Sequence, residues 1–142
     1  MAEVAYISNC EIVHCDVQIE RTDGVWYWAE YQSFSISDEV HNYQLTVAGY
    51  SGDAGDALAA TRQSIWNANG KMFSTPDRDN DDCPCSCASQ RRLGWWFGYC
   101  TLNSLNGDTY SIWQTRRSDF DVKTSHMLLK FYQALAQTYR QI

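Results

Sequence analysis

The chain has 142 residues, a formal net charge of -6, 44% hydrophobic residues and 14% aromatic residues. This is the size and apolar content of one domain around one core, too hydrophobic for a disordered chain. The negative balance tells against a nucleic-acid or anionic-membrane partner, and no apolar run is long enough to span a bilayer.

The first residues, Met1, Ala2, Glu3 and Val4, have neither a basic n-region nor an apolar h-region, so no signal peptide is expected in this chain. Residues 10–20 alternate as one or two strands, and Thr22-Asp23-Gly24 is a hairpin turn signal. Residues 25–34 are aromatic and alternating, so 17–34 is predicted to be a β-hairpin. A polar connection over 35–41 precedes a third strand over 43–47. The glycines of 49–55 predict a turn-rich loop, and 56–66 a short helix capped by Asp56. A turn over 67–70 leads into the densest part of the sequence.

That part is 77–100, D-R-D-N-D-D-C-P-C-S-C-A-S-Q-R-R-L-G-W-W-F-G-Y-C. Asp77, Asp79, Asp81 and Asp82 stand within six residues. Carboxylates this close repel one another unless a cation sits among them, and hard divalent ions take several oxygens at about 2.3–2.6 Å. Asp79 and Asp81, at alternate positions, point the same way and are suited to grip one ion together. No Gly or Glu falls where an EF-hand needs it, and a solvated acidic loop is the competing reading. The six cysteines are an even number and fit an oxidising compartment. Zinc is the rival for Cys83, Cys85 and Cys87, although structural zinc prefers C-x2-4-C with a distant second pair. Trp95, Trp96, Phe97 and Tyr99 are either core residues or a recognition platform.

After Cys100, 102–107 is expected to be a loop, followed by the segments 108–113 and 114–118. Leu128, Leu129, Tyr132, Leu135 and Tyr139 have rough helical spacing, so 131–142 is expected to be a short helical tail. His14, His41 and His126 neighbour no nucleophile in a recognisable pattern, and no enzyme is expected.

Several of these segments together resemble the fibrinogen C-terminal-like domain family. They are F-S-T-P-D-R-D-N-D (73–81), Cys87-Ala88, Gly94-Trp95-Trp96, Cys100 and N-S-L-N-G (103–107), in that order. The C-x-C-x-C run ahead of G-W-W-F is most similar to the angiopoietin branch. The resemblance covers 17–130, and within it 122–131 is similar to the family's closing strand, which returns to the central sheet. It implies an α+β fold: a central, mostly antiparallel sheet with short helices and a large, irregular, loop-rich calcium and ligand subdomain. Residues 1–16 would be an N-terminal extension or edge strand, 17–130 a partial domain, and 131–142 a tail. Family domains are longer, so the chain is expected to be a shortened or truncated form lacking the family's N-terminal subdomain.

The resemblance further implies the disulfides Cys87–Cys100 and Cys83–Cys85. Cys10 and Cys15 have no family counterpart, and both a third bridge and two free buried thiols remain open. Ca2+ would be held by the carboxylates of Asp79 and Asp81 and the carbonyls of Cys83 and Cys85. The peptide between Tyr99 and Cys100 is often cis in the family, and Tyr99 and the backbone of Cys100 and Thr101 would line the ligand pocket. Lectin-type members carry His where Thr101 stands, which tells against acetyl-sugar binding. The loop between Gly107 and Ile112 is shorter than in the family. The implied function is an extracellular, calcium-binding recognition domain for a receptor or other protein partner, as in angiopoietins. The alternatives are an innate-immune lectin for acetylated glycans and a structural fragment without a ligand.

Overall fold

The computed structural model describes residues 12–59, 63–107, 111–115 and 119–132. Among them a six-stranded antiparallel sheet dominates. In chain order its strands are β1 (Ile12–Arg21), β2 (Trp26–Ile36), β3 (Leu45–Gly52), β6 (Asn103–Ser104), β7 (Ile112–Gln114) and β8 (Asp119–Tyr132). A two-stranded ribbon pairs β4 (Phe73–Ser74) with β5 (Trp95–Trp96), and one short helix, α1, spans Cys87–Arg91. The order across the large sheet is β3-β2-β1-β8-β7-β6, so the last strand in sequence is inserted beside the first.

The period of two in the sequence sets the faces of β1. Val13, Cys15, Val17 and Ile19 are buried, and His14, Asp16, Gln18 and Glu20 alternate with them on the other side. The hairpin closes at Gly24, whose φ of 82° suits a residue without Cβ. Between Val13 and Cys15 the register with β2 slips, and the inward set on β2 moves from Ala29 and Tyr31 to Phe34 and Ile36. Leu45 and Val47 of β3 complete the inner face, and burying each such aliphatic residue contributes about 1.5–3 kcal/mol.

Against this face packs an irregular layer from 53–59 and 63–102. Ala54, Ala57, Leu58, Ala68, Leu93 and Phe97 are buried there, as is Trp113 of β7 beside them. A loop-rich layer keeps its backbone polar groups paired by borrowing side chains. The Trp113 indole donates to the Gly55 carbonyl at 3.0 Å, and the Trp96 indole to the Tyr43 carbonyl at 2.9 Å. These long-range bonds fasten the loop layer to the sheet.

Several local expectations are corrected. The edge strand expected within 1–16 is, over 12–16, the first half of an interior strand paired on both sides; residues 1–11 lie outside the described residues. The loop expected over 49–55 begins as strand, since β3 runs through Gly52 with positive φ at Gly49 and Gly52. In place of a helix over 56–66, the described residues form a turn at 57–59 and a 3-10 turn at Ser64–Trp66. The Asp56 cap does form: its carboxylate accepts from the Ala59 amide at 3.0 Å and from the Tyr31 hydroxyl at 2.9 Å. The segment 131–142 does not open as a helix: Phe131 and Tyr132 continue β8, and 133–142 lie outside the described residues. The short β6 occupies part of the loop expected over 102–107.

Candidate functional site

The acidic loop is framed by small local devices. Thr75 and Arg78 exchange backbone hydrogen bonds at 3.0 Å, making a tight turn that holds Asp77 at the surface. Asn80 enters the loop wall: its amide donates to Ser74 Oγ and its side chain to the Phe73 carbonyl, both at 2.9 Å. The Asp82 amide donates to the Gly98 carbonyl at 3.0 Å, and its carboxylate meets Lys71 Nζ at 2.6 Å.

The four aspartates therefore have different surroundings. Asp82 faces a lysine. The Thr75 hydroxyl beside Asp77 holds that carboxyl below the usual range. Asp81 accepts from the Cys83 amide through Oδ1 and from the Cys87 amide through Oδ2, each at 2.8 Å. The Asp79 carboxylate lies alongside, taking the Asp81 amide at 3.2 Å. Burial pushes the Asp81 carboxyl up; the two amides oppose this, and neighbouring Asp79 adds to it. Two acidic groups face each other across a fixed frame.

A raised folded pKa means that the native chain takes up this proton at higher pH than the unfolded chain does. Around that pKa the native state binds more protons, so stability falls as pH rises through it. In chelator, the unfolding free energy of the parent protein relative to Asp81→Asn is expected to rise as pH is lowered from neutral into the carboxyl range. Chemical denaturation at stepped pH measures it; a flat or opposite difference would contradict the assignment.

The disulfides are Cys83–Cys85 and Cys87–Cys100. With their sulfurs committed to one another, these cysteines offer no thiolate to zinc, so the soft-metal reading does not hold for this oxidised state. Cys15 is a buried free cysteine with its thiol pushed up to about 12 by burial, and Cys10 lies outside the described residues.

The G-W-W-F-G-Y-C run divides between core and surface. Trp95, Trp96 and Phe97 are buried, and the two indoles meet edge-on with centroids 5.3 Å apart. They are core, not platform. Gly98 admits a close crossing: a Cβ there would fall 2.2 Å from the Ile65 carbonyl oxygen, which accepts from the Tyr99 amide at 2.9 Å. Tyr99 then turns out to solvent, 51% exposed. It lines a cleft of about 460 Å³ with Cys83, Pro84, Cys85, Gln90 and Cys100.

Two expectations for this corner change. No cis peptide is present among the described residues, and Cys100 takes a left-handed φ of 53°. Thr101 is not on the cleft wall but buried at 2% exposure; its hydroxyl donates to the Asn103 carbonyl at 3.0 Å. Asp79, Asp81, Cys83, Cys85, Tyr99 and Cys100 are thus gathered at one end of the loop layer, while Thr101 belongs to its interior.

Sequence reasoning missed Asn103 as an organiser of this layer. Its side chain accepts from the Trp95 indole at 3.0 Å and donates to the Ala57 carbonyl at 2.6 Å, entirely buried. Only its place in N-S-L-N-G marked it.

A family model for the C-terminal globular domain of the fibrinogen beta and gamma chains matches residues 2–130. The chain belongs to the fibrinogen C-terminal domain family. Among curated relatives of this fibrinogen-like domain, angiopoietin-4 of Bos taurus is 42% identical over 94 residues, covering 66% of this chain and 18% of the relative. Fibrinogen-like protein 1 of Mus musculus is 42% identical over 87 residues, covering 58% and 28%. The solved fibrinogen-like globe of human ANGPTL6 superposes with a TM-score of 0.78 at 30% identity, covering 92% of this chain and 61% of that one. A lamprey fibrin D-dimer shares the fold at a TM-score of 0.81 and 24% identity, covering 99% and 52%. This chain therefore spans less than a third of those two curated relatives. Family membership makes it a non-enzymatic ligand-binding or structural domain related to angiopoietins and angiopoietin-like proteins. Among the described residues no helix is long and apolar enough to cross a membrane.

Proposed function

We propose that this fibrinogen-like domain is an extracellular, calcium-binding recognition module whose partner is a receptor or another protein. The observation that carries the reading is the Asp79–Asp81 pair. Asp81 is fixed through both oxygens by the amides of Cys83 and Cys87, with the Asp79 carboxylate beside it. The donors on offer are oxygens, which suits a hard cation. Asp79 and Asp81 would hold it with their carboxylates, and Cys83 and Cys85 with their backbone carbonyls. The bound ion would supply positive charge where the two acids repel. The same cysteines form the wall of the cleft beside exposed Tyr99, so ordering the acidic loop steadies a recognition surface. Two disulfides fit an oxidising, extracellular setting, as does the relationship to angiopoietins.

The test is thermal unfolding of the parent and Asp79→Ala, each in calcium and in chelator. At calcium about a hundredfold above Kd, the parent should gain about 2.7 kcal/mol. Asp79→Ala should lose most of that gain while melting near the parent in chelator. Equal losses under both conditions would remove the metal site. The partner is tested with a panel of receptor ectodomains. Binding insensitive to acetylated sugars supports a protein partner; chelator-sensitive capture on a glycan array, without receptor binding, would replace it with a sugar ligand.

A further inference from the structure

The two disulfides of the loop layer are not independent. The sulfurs of Cys83, Cys85, Cys87 and Cys100 all lie within 4.8 Å of one another. The cleft beside Tyr99 opens onto Cys83, Cys85 and Cys100, whereas Cys87 is buried and off its wall. The Cys83–Cys85 bridge closes a sequence separation of only 2 and is half-buried; Cys87–Cys100 closes a separation of 13 and reaches the core. Accessible bridges are the ones open to exchange. The two sulfurs of the accessible bridge also differ, because the Cys85 amide donates to Cys83 Sγ at 3.2 Å. A donor aimed at sulfur favours the anion that forms when the bond breaks.

We propose that this cleft is a thiol–disulfide exchange site that takes a dithiol reductant, which enters at Cys85 Sγ. The reductant's thiolate forms a bond to Cys85 Sγ. The Cys83–Cys85 bond breaks, and its electron pair leaves on Cys83 Sγ beside the Cys85 amide. The reductant's second thiolate then attacks its own sulfur in the mixed disulfide, closing an oxidised cyclic disulfide and releasing Cys85. Two electrons pass from the dithiol to the bridge. The two protons the dithiol gives to solvent balance the two taken up by Cys83 and Cys85. A Cys83 thiolate left without its partner lies within reach of Cys100 Sγ. There it forms Cys83–Cys100, breaks Cys87–Cys100 and sends the electron pair to Cys87.

The oxidised 142-residue chain is titrated with dithiothreitol without denaturant, quenched with N-ethylmaleimide and mapped by peptide mass spectrometry, with circular dichroism followed alongside. One bridge should open at about tenfold less reductant than the other, leaving Cys85 alkylated together with Cys83 or, where the relay has run, with Cys87, and the spectrum unchanged. Glutathione, a monothiol, should be trapped on Cys85 and not on Cys83. Cys85→Ser, without reductant, should show a Cys83–Cys100 bridge and a free Cys87. Both bridges opening at one dose, or a glutathione adduct confined to Cys83, would overturn the proposal. An intact Cys87–Cys100 in folded Cys85→Ser would overturn the relay. If that variant does not fold, the dose series and the adduct position on the parent protein still decide the site of entry.

Discussion

Asn103→Ala is expected to lower the unfolding free energy by about 4 kcal/mol, because two buried groups lose the side chain that pairs them and each costs about 1–3 kcal/mol. The groups are the Trp95 indole N–H and the Ala57 carbonyl, which meet the Asn103 side chain at 3.0 and 2.6 Å. Both lie where water does not reach: Trp95 is 3% exposed, and Ala57 and Asn103 are fully buried. Asn106→Ala, three residues on in the same N-S-L-N-G segment, is expected to cost no more than about 1 kcal/mol. Asn106 donates to the Gly94 carbonyl at 2.8 Å, but from an exposed position where solvent substitutes. Urea unfolding of the two variants separates them. Comparable losses would mean that Asn103 does not tie the turn at Ala57 to the Trp95 strand.

Removing the Cys87–Cys100 bridge as the Cys87→Ala/Cys100→Ala pair is expected to cost about 3 kcal/mol from chain entropy alone, against about 1.6 kcal/mol for Cys83→Ala/Cys85→Ala. The ordering follows from the separations of 13 and 2 that the bridges close. Packing widens the gap. Cys87 is fully buried at the start of α1, and truncating it opens space in the core. The bridge also holds Cys100 at a left-handed φ of 53°, just where the backbone turns from exposed Tyr99 to buried Thr101. Urea midpoints for both double variants, measured in chelator, test this without a contribution from calcium. A larger loss from the Cys83–Cys85 pair would show that the cleft wall, not the crosslink to the core, holds the layer together.

Much of the sheet was legible. Alternation in β1 and β2, with Thr22-Asp23-Gly24 between them, predicts a hairpin that the structure contains. The resemblance of 122–131 to the family's closing strand implies a strand there, found as β8 beside β1. The helix expected over 56–66 was not legible. It was expected from the Asp56 cap, which instead closes a turn, and Ala57 and Leu58 enter the core beside a Tyr31–Asp56 hydrogen bond, a tertiary contact that overrides helical preference. The same limit applies to Thr101, whose backbone the resemblance places on the ligand pocket and which the structure buries with its hydroxyl on the Asn103 carbonyl. For the candidate site, the clustering of aspartates and cysteines was visible. Which aspartate meets Lys71 and which is pinned by amides was not.

The sequence by itself determined the family, through Asp79, Asp81, G-W-W and N-S-L-N-G, and the inward face of β1, because residue type and spacing of two are local properties. The tertiary structure alone decided that Asp81 is tied to the Cys83 and Cys87 amides, that Tyr99 is the exposed aromatic of the G-W-W-F-G-Y-C run, and that four sulfurs lie within 4.8 Å of one another. Those facts depend on backbone groups and on segments far apart in sequence, whose positions are fixed only when the loop layer packs against the sheet.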